Sequence, residues 1–135
     1  MKHMLLRGLP VLLLALASPM LAHAAAVSSA VSNQVSVAGI HADMAISATD
    51  LETVHLHLHH VINCLEGPDG KDFDAKATNP CHGMGLGALV DARDDPAVEA
   101  RLHLAQKQAE QGVHATTLDS AHADAQQVFK LLQHH

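Results

Sequence analysis

The sequence contains no tryptophan, no tyrosine and only two phenylalanines. Cationic side chains are also few: the sequence has eight lysines and arginines and 14 aspartates and glutamates. Nucleic-acid sites depend on basic grooves and stacking aromatic side chains, so the composition argues against a nucleic-acid partner. It also disfavours a large buried organic cofactor, whose pocket is usually lined by bulky side chains. The acidic balance is better suited to binding cations.

The first 24 residues have the pattern of a secretory signal peptide. Lys2 and Arg7 give a basic start, an apolar run follows over 9–16, and residues 22–24 (Ala-His-Ala) fit a cleavage site. The apolar run is too short to span a bilayer. We therefore expect cleavage after Ala24, a periplasmic location and no membrane insertion of the mature chain. That chain, a single domain over 25–135, would have 14 acidic residues against six basic ones, formally −8.

A shift of 67 residues aligns two segments of the chain without a gap. Segment 42–65 matches segment 109–132, with identical residues at seven of 24 positions. We interpret the match as an internal duplication. Apolar residues recur in both copies at spacings of three and four, which favours a helix over a strand.

Capping motifs predict where the repeated helices begin. Thr49-x-x-Glu52 is typical of a capping box, and Thr116-x-x-Asp119 is a weaker version of it. We therefore expect one helix from about position 49 to position 66 and another from about 116 to 133.

More helical sequence lies upstream of each copy. Asp95 and Pro96 begin a helix that runs to Gln111, whereas segment 35–47 could form a separate helix or fuse with the next one. The apolar residues are mainly Ala, Leu and Val, which suits closely packed helices. Two helical hairpins joined by a long loop predict an all-α fold, a four-helix bundle.

The loop over 67–94 is rich in Gly, Pro and Asp and is long for a compact domain, so something must restrain it. Cys64 and Cys81 are the only cysteines, and two cysteines in an exported protein usually form a disulfide. The alternative is a reduced metal site built from these cysteines with His60 and His82.

Segment 54–64, VHLHLHHVINC, has four histidines within six positions. At about 100° per residue they form two clusters on a helix, not one face. His55 and His59 have the i, i+4 spacing that lets two imidazoles share a metal ion, and His57 and His60 have the workable i, i+3 spacing.

Other residues add to the predicted metal ligands. Glu52 shares the flank of His55 and His59, and an N-terminal extension of the helix would bring His41 there too. His82-Gly83-Met84 in the loop puts an imidazole beside a thioether, a combination that could accept Cu(I). The full set of candidate ligands is His41, Glu52, His55, His57, His59, His60, His82, Met84 and His122.

The segment over 109–132, with GVHATTLDSAHADAQ, resembles the helical units of the periplasmic small metal-binding proteins. Those are histidine-rich four-helix bundles that bind copper and other divalent metals. The resemblance covers the two repeat units, about half of the mature chain, and the chain departs from it in its cysteines, long loop and clustered histidines. It implies copper storage or detoxification. The residues that match the spacing of the family are His41, His55, His114 and His122.

We therefore expect a periplasmic protein that buffers, stores or carries divalent metal ions, with copper ahead of zinc or nickel. Two other hypotheses remain open. An envelope adaptor protein could use the histidines to sense pH. A di-metal carboxylate enzyme would use paired acid-x-x-His motifs and two further acids. Its ligands would be Glu52, His55, Asp119, His122, Asp43 and Glu110.

Overall fold

A computed structural model describes the backbone of residues 19–133 and the side chains of residues 29–133. This part of the chain forms five helices and no strand. The helices are α1 (Pro19–Ser47), α2 (Leu51–Glu66), α3 (Ala88–Asp91), α4 (Pro96–Val113) and α5 (Leu118–Gln133). The all-α prediction is confirmed, and segment 54–64 is helical.

One prediction falls largely outside the described residues. Of the expected signal peptide, residues 1–18 lie outside them, and only the backbone of 19–24 is described, as part of α1. The terminal His134 and His135 also lie outside them. Among the described helices, none combines the length and the apolar character needed to cross a membrane.

α1 and α2 are separate helices, and Asp50 caps the second. Its carboxylate accepts hydrogen bonds from the Thr53 backbone N–H and hydroxyl, both at 2.8 Å. At α5 the hydroxyl of Thr117 accepts the backbone N–H of Ser120 at 3.2 Å. The observed caps, Asp50 and Thr117, each lie one residue after the predicted caps, Thr49 and Thr116. The predicted capping boxes were therefore wrong by one residue. The reason at α2 is that an aspartate is at least as good a cap as the threonine before it.

Each of the four longer helices packs along two others. α1 and α4 both lie against α2 and α5, while α3 sits on α1, α2 and α4. Small side chains face the core on α1, α4 and α5, which allows close packing of the helices. Gly112 shows how close: a Cβ there would lie 2.4 Å from Leu58 Cδ1. The buried alanines on these helices are Ala38, Ala42, Ala45, Ala105, Ala109, Ala121 and Ala125.

Two hydrogen bonds between a helix and a turn repeat with the 67-residue offset. His55 Nε2 lies 3.0 Å from the carbonyl oxygen of Ala115, and His122 Nε2 lies 2.9 Å from that of Ala48. A carbonyl oxygen can only accept, so each imidazole donates its Nε2–H. Each acceptor is in the turn before the helix that holds the other histidine. α2 and α5 are thus each hydrogen-bonded to the turn that precedes the other.

The long loop is held to α2 by a disulfide and by a buried amide. Cys64 and Cys81 form the predicted disulfide, with a Cα–Cα distance of 5.2 Å, so neither thiolate is free for the alternative Cys-His metal site. The Asn63 side chain donates to the Asp74 carbonyl at 3.0 Å and accepts the Asp74 backbone N–H at 2.8 Å. These contacts bring the loop against the C-terminal half of α2.

Candidate metal centre

Three imidazoles meet where α1 faces α2. His41 comes from α1, and His57 and His60 come from adjacent turns of α2. His41 Nδ1 lies 3.2 Å from His57 Nδ1, and the ring centre of His60 lies 4.7 Å from that of His41. One nitrogen from each ring lies within 4.8 Å of the others. This three-histidine centre has the size of a metal site.

The hairpin geometry explains why these rings meet. On α2, the i, i+3 spacing puts His57 and His60 on one side of the helix. On α1, His41 lies on the flank of a buried alanine face that lets the two helices approach closely. The turn between the helices ends at the Asp50 cap. His41, nine positions before Asp50, therefore lies beside His57, seven positions after it.

Partial burial keeps the centre neutral. Burial is the main reason that the pKa of His41 falls from its ordinary 6.5 to about 4, and the nearby His60 and His57 rings lower it further. Burial also lowers the pKa of His57 and, with the neighbouring histidines His57 and His59, that of His60. Neutral imidazoles keep a free lone pair, which is the form that binds metals.

His60 supplies an unusual observation within this centre. Its Nδ1 atom is buried and has no hydrogen-bond partner among the described residues. A buried polar atom without a partner costs free energy, so it needs a physical explanation. A ligand held between the three rings would provide one. The nitrogens present, all imidazole, suit copper, zinc or nickel.

The histidines predicted on the other flank of α2 do not assemble into a site. His55 is tied to Ala115, while His59 Nδ1 lies 3.5 Å from a carboxylate oxygen of Asp74, a contact too long for a good hydrogen bond. Glu52 is exposed at the helix start. His41 would have joined this flank only if one helix ran on from α2 towards the N-terminus; α1 and α2 are separate helices, and His41 lies beside His57 instead.

The remaining candidates lie apart from the three-histidine centre. His122 is tied to the carbonyl of Ala48, and His82 and Met84 are exposed in the loop. Asp119 is exposed at the start of α5. Among the described residues, the predicted acid-x-x-His motifs do not form a group of three close ligand atoms.

A second group consists of carboxylates, from Glu66, Asp72 and Glu110. Protein groups satisfy much of it: Gln106 Nε2 contacts Glu66 and donates to Glu110 at 3.0 Å, and the Asp72 backbone N–H donates to Glu66 at 2.7 Å. Burial, and then the charge of Asp72, raise the pKa of Glu110. Sequence reasoning missed Glu66 and Asp72, since the loop that brings Asp72 to α2 has no periodic pattern.

Comparison with family models, curated proteins and solved structures finds no match for this chain. What the fold and the site define is an all-helical, disulfide-bonded protein with histidine and carboxylate groups placed to hold a metal ion. Its function must be inferred from the chemistry of those groups.

Proposed function

We propose that the protein binds a divalent metal ion through His41, His57 and His60 and serves as a periplasmic metal buffer, store or carrier. The observation that carries the proposal is the convergence of three imidazoles from two helices, where a buried nitrogen of His60 has no hydrogen-bond partner among the described residues. Copper is the first candidate because Cu²⁺ stands at the top of the affinity order for nitrogen ligands, and zinc or nickel come next.

The donor set favours reversible binding over a sealed structural site. Structural zinc sites usually have four protein ligands, whereas three protein ligands leave a position open to water or to a transfer partner. The three imidazoles are also only partly buried, so an ion could enter and leave. Both features suit a buffer or carrier. The disulfide is consistent with an oxidising compartment such as the periplasm.

The second half of the chain supports the idea that these histidines serve binding and not folding. We infer that the four longer helices are a duplicated hairpin forming a four-helix bundle, and the 67-residue offset then pairs His41 with Gln108 and His57 with Asp124. Gln108 Nε2 donates to Asp124 Oδ1 at 2.5 Å, which corresponds to the contact between the two histidine rings. The same helix packing is thus achieved without imidazoles.

Two double variants on one helix test the proposal. His57→Gln with His60→Gln removes two imidazoles from the centre, and His55→Gln with His59→Gln removes two from the opposite flank as a matched control. Calorimetric titration with Cu²⁺ and with Zn²⁺ should give one strong site in the wild type and in the control. The first variant should lose that site while its helix content, measured by circular dichroism, is unchanged.

The opposite pattern would overturn the assignment. If the first variant keeps the affinity of the wild type, the three-histidine centre is not the metal site. If the control loses binding instead, the ligands are on the flank of His55. A wild type that binds neither ion would refute metal binding as the function.

A further inference from the structure

We infer that Met44 is a fourth, soft ligand of the three-histidine centre, and that the centre therefore also takes copper as Cu(I). The inference rests on the proposed function, which it makes more specific. The inference specifies the oxidation state of the copper ion that is bound. The protein itself carries out no reduction, since Cu(I) enters already reduced.

Helix geometry puts Met44 beside His41, the residue that α1 contributes to the centre. It follows His41 by three residues on α1, a spacing at which Cβ atoms are about 5–6 Å apart. Helical side chains lean towards the N-terminus and over the preceding turn, so Met44 leans towards His41. Its three rotatable bonds give the thioether a wide reach.

Met44 is not held in its present position by the core. Its side chain is 45% exposed and forms the edge of a groove of about 410 Å³ between α1 and α5, beside Ile40 and Asp43. This groove faces α5, whereas the three-histidine centre faces α2, so the sulfur would reach the imidazoles only after a change of rotamer. Exposed side chains make such changes within nanoseconds, so the movement is no barrier to binding.

The second half of the chain acts as an internal control. Gln111 is the equivalent of Met44, and it too is exposed on its helix. The fold therefore does not demand a methionine at this position. The three histidines of the centre and Met44 all have a different residue at the aligned position of the second half. His41 aligns with Gln108, Met44 with Gln111, His57 with Asp124 and His60 with Gln127.

The chemistry of the four side chains explains the preference. Imidazole binds Cu(II), Zn and Ni alike, whereas a thioether is a soft ligand that selects Cu(I). A centre of three imidazoles and one thioether should thus bind Cu(I) more tightly than three imidazoles alone. Its affinity for Zn²⁺ should owe little to the sulfur.

The test compares two exposed methionines, using the intact protein. Met44→Leu removes the sulfur beside the centre, and Met84→Leu removes one from the loop as a matched control, since Met84 is 37% exposed. Cu(I) affinity is measured under anaerobic, reducing conditions by competition with a chromogenic Cu(I) chelator, and Zn²⁺ affinity by calorimetry. Losing a direct ligand should cost at least the roughly tenfold affinity typical of losing a supporting group.

We expect Met44→Leu to lower Cu(I) affinity by at least about tenfold and to change Zn²⁺ affinity by less than about twofold. Met84→Leu should change neither. X-ray absorption at the copper edge should show sulfur scattering in the wild type that is absent from Met44→Leu. Met44→Gln, which installs the residue found in the second half, should behave like Met44→Leu and guards against an effect particular to leucine.

Several results would overturn the inference while leaving the proposed function intact. Equal Cu(I) affinity in Met44→Leu and the wild type would exclude Met44 as a ligand. A loss confined to Met84→Leu would place the soft ligand in the loop. An equal loss of Zn²⁺ and Cu(I) in Met44→Leu would show a packing effect. The proposed function fails separately, if His57→Gln with His60→Gln leaves both affinities unchanged.

Discussion

His55 and His122 align under the 67-residue shift, and each donates a hydrogen bond to the turn before the helix that holds the other. Their acceptors, the carbonyls of Ala115 and Ala48, are themselves 67 residues apart. Both histidines were predicted as metal ligands from their spacing. In the structure each donates its Nε2–H to a backbone carbonyl, which is a structural role.

This relationship predicts a stability cost without a cost in metal binding. Replacing His55 or His122 by Ala leaves a backbone carbonyl without its partner and should lower the free energy of unfolding by about 1 kcal/mol each. His114→Ala, at an exposed position, should change stability little. Urea denaturation measures these differences. If the two variants unfold like the His114 control, the hydrogen bonds contribute nothing to joining the halves.

The second half should contain a latent metal site. Gln108, Asp124 and Gln127 stand where the first half has its three histidines, and the contact between the first two shows that the side chains meet. Replacing all three by His should raise the stoichiometry of Zn²⁺ from one to two ions per chain. Calorimetry on folded variant protein measures this. A folded variant that still binds one ion would argue against equivalent geometry in the two halves.

Acid should destabilise the metal-free protein through His41. Because its pKa is lowered to about 4 from an ordinary 6.5, the unfolded chain binds more protons than the folded one between these values. The stabilising contribution is complete above pH 6.5 and is lost as the pH falls towards 4. Thermal unfolding of the wild type should thus depend on pH more steeply in this window than that of His41→Gln. Parallel curves would exclude the lowered pKa.

The same lowered pKa values should extend metal binding into mild acid. Protons compete with the metal for imidazole nitrogens, but burial of His41, His57 and His60 weakens that competition. Between pH 7 and pH 6, Zn²⁺ affinity should therefore fall less than it does for a solvent-exposed histidine peptide. Titrations of the protein and of such a peptide at matched pH make the comparison.

The disulfide should stabilise the folded protein by restraining the loop. Cys64 and Cys81 are 17 positions apart in the sequence, for which the chain-entropy model predicts about 3 kcal/mol. The double variant with Ala at both positions should unfold at correspondingly lower urea concentration. Thiol titration of unfolded, unreduced wild type should find no free thiol. Two reactive thiols there would show that the bond does not form.

The sequence alone determined the helices and the disulfide, because both depend on short-range patterns. Apolar spacing of three and four defines a helix whatever it packs against, and two cysteines in one chain can pair only with each other. His55 and His122, which align in the 67-residue repeat, make matching hydrogen bonds. The helix starts were displaced by one residue, since Asp50 and Thr117 compete with neighbouring caps at nearly equal free energy.

Only the tertiary structure decided which histidines meet. A helical projection relates residues on one helix, so it grouped His57 with His60 correctly, but it holds no information across a turn. If α2 had continued towards the N-terminus without a turn, its helical periodicity would have put His41 on the flank of His55. The turn at 48–50 reverses the chain instead, and the packing of the alanine face of α1 on α2 then brings His41 to the opposite flank. The centre exists because two helices pack, and the sequence pattern of either helix alone does not contain it.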